Sequence, residues 1–111
     1  MRLVNKCEIH LLNKKFLKKN YPTNILAFPY DVQLNKNVLF LGDLVVCNKI
    51  IQEEAHQQKK IIDAHWAHII VHGTLHLLGY DHVNSSKNKK IMQLLEIKIL
   101  RFLGYNNPYE K

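Results

Sequence analysis

At 111 residues, 47% hydrophobic and 23% charged, the chain has material for one core and too little for two domains of ordinary size, so a single domain over residues 1–111 is expected. Sixteen Lys plus Arg against nine Asp plus Glu give a net charge of +7, which fits a polyanion-binding face, a solubilising lysine coat or a lysine-inflating AT-rich coding sequence. No apolar run approaches the roughly 20 residues of a membrane helix, "MRLVNKCEIH" lacks the apolar core of a secretion signal, and Cys7 and Cys47 read as reduced thiols, so a cytoplasmic protein with no membrane contact is expected.

In chain order, "RLV" predicts a short strand, and "CEIHLLNKKFLKK" a helix with Ile9, Leu12 and Phe16 on one face, ended by Pro22. "NILAFPY" and "NVLFLGDLVVC" are rich in β-branched and aromatic residues and flank the turn-prone "DVQLNKN", a hairpin pattern. Asn48 is the expected N-cap of a helix through "KIIQEEAHQQKK". A buried helix should follow from Asp63 to Leu78, stopped by Gly79, whose missing Cβ suits the left-handed position past a helix end. The last helix is predicted from Ser86 to Leu103, turning Ile91, Leu94, Leu95, Ile99 and Phe102 to the core and ending at Gly104. Strands early and helices late predict an α+β fold, a small mixed sheet with helices packed on one face.

The buried helix carries a polar stripe. At about 100° per residue, His65, His68, His72 and His76 fall within an arc of about 80°, while Trp66, Ile70, Val71, Leu75, Leu77 and Leu78 cover the rest. Imidazoles on such a rod need hydrogen bonds, a metal or a water-filled cleft. His72 and His76, four apart, project side by side and can both reach a zinc ion at about 2.0–2.1 Å. Gly79 lets the backbone reverse so that His82 supplies a third nitrogen. The pattern H-x-x-x-H-x-x-G-x-x-H has the spacing of the metzincin helix-and-loop site. Three neutral nitrogens leave one tetrahedral position open, as in catalytic zinc sites. One zinc ion per chain is therefore expected on His72, His76 and His82. His65 and His68 are either partners of those ligands and of the cleft or satisfied core histidines; His10 and His56 stand apart. Metzincins place Glu after their first ligand as general base, but Gly73 stands here. Asp81 is the nearest carboxylate in sequence, a candidate base or an anchor of the loop that orients His82.

These residues resemble the YbeY family of bacterial rRNA-maturation endoribonucleases, whose H-G-x-L-H-L-x-G-Y-D-H matches His72 to His82 at every fixed position. "PTNILAFP" is similar to the family's P-T-[DN]-V-L-S-F-P and "LGDLVVC" to its L-G-D-I-V-I-C, and the likeness runs from "EIHLLN" to "GYNNPY". The resemblance implies His72, His76 and His82 as zinc ligands. Three departures stand out. Leu17 occupies the place of the family's arginine in L-N-x-x-Y-R, where a guanidinium would clamp phosphate bidentately; Lys14, Lys15 or Lys18 would bring charge without that fork. Ala27 replaces the family's usual Ser, and the family's further N-terminal strand and helix do not precede "RLVN".

The function implied is a zinc-dependent endoribonuclease selective for single-stranded RNA, acting in rRNA processing at the 3′ end of the small-subunit RNA. Its partners would be rRNA and the small ribosomal subunit or its assembly factors. Two other classes stay open: a non-catalytic ribosome-associated module in which zinc ties helix to loop, and a metalloprotease-like hydrolase, against which Gly73 argues.

Overall fold

Apolar side chains on successive positions of two short runs make a sheet with both faces buried. A computed structural model describes residues 1–29, 42–80 and 86–110. Within them β1 (Arg2–Leu3), β2 (Ile25–Pro29) and β3 (Gly42–Val46) form one mixed sheet in the order β1-β3-β2. β3 runs antiparallel to β2, with Ile25 opposite Val46 and Pro29 opposite Gly42, so the two segments expected to form a hairpin do pair; the turn "DVQLNKN" lies outside the described residues. β1 joins the other edge of β3 in parallel, extended by Val4 N–H donating to Val46 O at 2.9 Å.

Leu44 and Val46 point to one side, where they pack with Ile51 of α2 (Asn48–Gln57) and Ile69 of α3 (Ile62–Leu77). Val45 and Leu26 point to the other, against Ile9 of α1 (Lys6–Leu17). The fold class is the expected α+β, but α1 covers the face opposite α3, with α2 reaching both clusters through Ile50 and Ile51, because "LVV" is apolar on both sides of the pleat. α4 (Ser86–Phe102) packs on α3, with Met92 and Leu100 against Val71 and Leu75. Among the described residues no helix is long and apolar enough to cross a membrane. Cys7 is exposed and Cys47 buried, both as free thiols.

Helix ends explain several departures from expectation. Asn5 caps α1 by accepting from Glu8 N–H at 2.8 Å. α1 stops before Pro22, because Lys18 takes the left-handed conformation at φ 60°. Its buried face is Ile9 and Asn13, whereas Phe16 stays exposed and meets the Phe28 ring edge-on at 5.4 Å. Asn48 is not the cap of α2: Cys47 occupies that position without a side-chain bond, and Asn48 Oδ1 instead accepts from Trp66 Nε1–H at 2.8 Å, tying α2 to α3. Gly79 ends α3 as expected, at φ +98°, with Tyr80 N–H donating back to Leu75 O at 3.0 Å. The expected core face of α4 is met in part: Leu95 and Ile99 pack against the core, but its centre is shifted to Met92, Glu96 and Leu100, which are buried, while Ile91, Leu94 and Phe102, the last 91% exposed, face outward.

Candidate metal centre and cleft

One open cleft of about 580 Å³ runs between β2 and α3. Leu17, Lys19 and Ala27 line it together with His68, His72, His76 and Tyr109. Both departures from the family pattern inside the described residues, Leu17 and Ala27, therefore border the same space as the histidine stripe.

α3 positions the stripe because Gly73 lets it lie close against the sheet. A Cβ on Gly73 would come to 2.6 Å from Ile25 Cδ1 and 3.0 Å from Leu44 Cδ2, tighter than atoms pack. This position faces the sheet, so a side chain at the place where metzincins carry their base would have to push aside Ile25 and Leu44.

His72 and His76, successive members of the stripe, bring their Nε2 atoms to 3.0 Å of each other. Two nitrogens bound tetrahedrally to one zinc at about 2.0–2.1 Å would lie roughly 3.3 Å apart, so this pair fits a shared ion with a small adjustment. Among the described residues no three His, Cys, Asp or Glu side chains converge as a metal site. The remaining expected ligand, His82, and the candidate base or anchor Asp81 lie outside the described residues.

Behind the pair sits a carboxylate that sequence reasoning missed. Glu96 of α4 is 1% exposed. Its Oε1 is 2.7 Å from His72 Nδ1, and its Oε2 is 3.0 Å from His68 Nε2 and also accepts from Tyr109 O–H. Burial alone would raise the Glu96 carboxyl, but the hydrogen bonds from His68, His72 and Tyr109 outweigh it and hold the group well below the usual carboxylate range. Burial and the Glu96 charge push the Tyr109 hydroxyl above its ordinary value. Glu96 is thus an anion and Tyr109 a neutral donor. His65, first in the stripe, is buried outside the cleft lining and sits 3.0 Å through Nε2 from Glu54 Oε1, which also accepts from Asn24 Nδ2–H at 3.0 Å. His68 therefore lines the cleft beside Glu96, and His65 is a core histidine tied through Nε2 to Glu54; the buried Nδ1 of each has no hydrogen-bond partner among the described residues. A signal for Glu96 was present: it is the lone acidic residue of α4, at the position that continues the Met92–Leu100 face.

Residues 1–104 match the family model described as Endoribonuclease YbeY. The chain is 62% identical over 109 residues to the Endoribonuclease YbeY of Wigglesworthia glossinidia brevipalpis, covering 98% of this chain and 72% of that relative. It is 51% identical over 109 residues to the Endoribonuclease YbeY of Buchnera aphidicola subsp. Schizaphis graminum (strain Sg), covering 98% and 68%. Among solved structures, the solution structure of TM1509 from Thermotoga maritima is similar at a TM-score of 0.53 and 26% identity, over 98% of this chain and 75% of that one.

Proposed function

The chain belongs to the endoribonuclease YbeY family, and from that premise we propose that it cleaves single-stranded RNA with one zinc ion per chain, as a single domain in the cytoplasm. It is an endoribonuclease with a role in rRNA processing, of a family of metal-dependent nucleases. The finer reading adds zinc as the metal, His72, His76 and His82 as its ligands, and the 3′ end of the small-subunit RNA, within the ribosomal particle, as the target. The observation that carries it is the 3.0 Å approach of His72 Nε2 to His76 Nε2 on the wall of an open cleft.

A bound zinc ion supplies activation of water near neutral pH and polarisation of a phosphoryl oxygen. The chain's own residues do the rest. Helix α3 holds two imidazoles one turn apart, and Glu96 Oε1 stands 2.7 Å from His72 Nδ1 on the side away from His76. Lys19 lines the cleft with a positive charge for a phosphate, while Leu17 leaves that wall without a bidentate donor. Lysine contacts to the backbone position RNA without reading its bases, so the choice of target falls to the particle or a partner protein. A flexible single strand can bend a phosphate into the cleft more easily than a duplex can.

The test is metal analysis of the purified chain beside cleavage of a single-stranded RNA by wild type, His72→Ala and His76→Ala. Stoichiometric zinc and cleavage in wild type, both lost in each variant, are expected. Zinc retained at wild-type stoichiometry by His72→Ala would remove the ligand assignment. Metal-dependent stability with wild type and His76→Ala equally inert would select the non-catalytic module.

A further inference from the structure

We propose that Glu96 is the positioning residue that fixes which nitrogen of His72 carries the hydrogen, and thereby turns the Nε2 lone pair of His72 to the metal. The inference rests on the reading of His72 and His76 as ligands, and it concerns how four similar histidines are sorted into different roles.

Glu96 lies in the apolar face of α4 with Met92 and Leu100, all three 1% exposed. Packing alone would favour a hydrocarbon there, since a buried carboxylate is costly unless its oxygens are satisfied. They are satisfied by His72 Nδ1 at 2.7 Å, His68 Nε2 at 3.0 Å and the Tyr109 hydroxyl. An ionised carboxylate only accepts, so each of these three neighbours presents a hydrogen to it. A neutral His72 with its hydrogen on Nδ1 has its lone pair on Nε2, the atom 3.0 Å from His76 Nε2. His68 is held the other way round: its Nε2 carries the hydrogen, so that nitrogen is not a ligand. His65 likewise donates from Nε2, to Glu54 at 3.0 Å. Two carboxylates thus divide the stripe. His65 and His68 use Nε2 on protein, whereas His72 uses Nδ1 and keeps Nε2 for the ion. Sequence spacing alone treats His68–His72 and His72–His76 as equivalent i,i+4 pairs; the carboxylate at the crossing of α3 and α4 makes them different.

A merely structural clasp between α3, α4 and Tyr109 would need the same ring hydrogens but would leave zinc affinity unmoved when it is altered without unfolding, so the test reads the ring hydrogens and zinc affinity together. Long-range ¹H–¹⁵N correlation spectra of the metal-free chain, above the pH where the imidazoles titrate, assign the hydrogen on each ring. The expected result for wild type is His72 with its hydrogen on Nδ1 and His68 with its hydrogen on Nε2. Glu96→Gln keeps the shape but gives one amide acceptor and one amide donor, so the two rings can no longer both donate to it. The tautomer of at least one ring should change, and zinc affinity measured by chelator competition should fall on the order of 10- to 100-fold. A wild-type His72 with its hydrogen on Nε2 overturns the proposal, as does a folded Glu96→Gln chain that binds zinc as wild type does. Should Glu96→Gln not fold, the wild-type tautomers still decide. If His72→Ala also binds zinc unchanged, the ligand reading itself falls, a result that Glu96→Gln alone would not produce.

Discussion

Gly73 lies where α3 comes close to the sheet, and its effect can be measured. Alanine would gain about 1 kcal/mol in helix propensity, but its Cβ would sit 2.6 Å from Ile25 Cδ1, and overpacking of this kind costs about 1–3 kcal/mol. Gly73→Ala is expected to destabilise by about 1 kcal/mol, seen as a lower urea midpoint at unchanged slope; a midpoint equal to or above wild type would show that Ile25 yields freely. Leu17 offers the opposite experiment, a missing function rather than a missing volume. It is 50% exposed on the cleft wall, so Leu17→Arg can extend a guanidinium to a phosphate without burying charge. Charge-assisted hydrogen bonds contribute about 1.5–3 kcal/mol, so cleavage of single-stranded RNA should rise on the order of tenfold. An unchanged rate would discard the lost fork as a limit on catalysis.

At the scale of elements, the stripe on α3 was legible because its period is set by backbone geometry alone, and Gly79 marked the end of the helix for the same reason. α4 was harder to read. An apolar face was expected at Ile91, Leu94, Leu95, Ile99 and Phe102, but Glu96 breaks the hydrophobic pattern on the side that is buried, and a stripe search turns away from it. The facing imidazoles of α3 and the Tyr109 hydroxyl make that carboxylate tolerable, and facing partners are a tertiary fact. The cap of α2 failed similarly: Asn48 has a capping side chain, but the Trp66 indole claims its oxygen. The corrected face of α4 predicts unequal costs for adjacent residues. Met92→Ala should lose about 2–5 kcal/mol as a buried truncation, whereas Ile91→Ala, at a position 40% exposed, should lose less than about 1 kcal/mol. Equal losses in urea titrations would return the face to its sequence-based register.

On the scale of the whole molecule, the candidate site is where the layers meet. α3 contributes Ile69 to the core shared with β3 and α2, and Val71 and Leu75 to the core shared with α4, so an ion on His72 and His76 would be held by the element that touches both cores. Anything that binds the folded chain and not the unfolded one adds stability by mass action, about 2.7 kcal/mol at a free concentration 100 times Kd. For a domain of this size each kcal/mol moves the melting midpoint by roughly 4 °C, so saturating zinc should raise the Tm by about 10 °C, and a chelator should reverse the rise. If residues 1–111 are one cooperative unit, far-ultraviolet circular dichroism and Trp66 fluorescence should report the same midpoint before and after zinc. His72→Ala and His76→Ala should each melt without a zinc-dependent shift of comparable size. A rise of about 10 °C surviving in both would place the ion elsewhere on the chain, and two separate transitions in wild type would show that the cores on either side of α3 unfold independently.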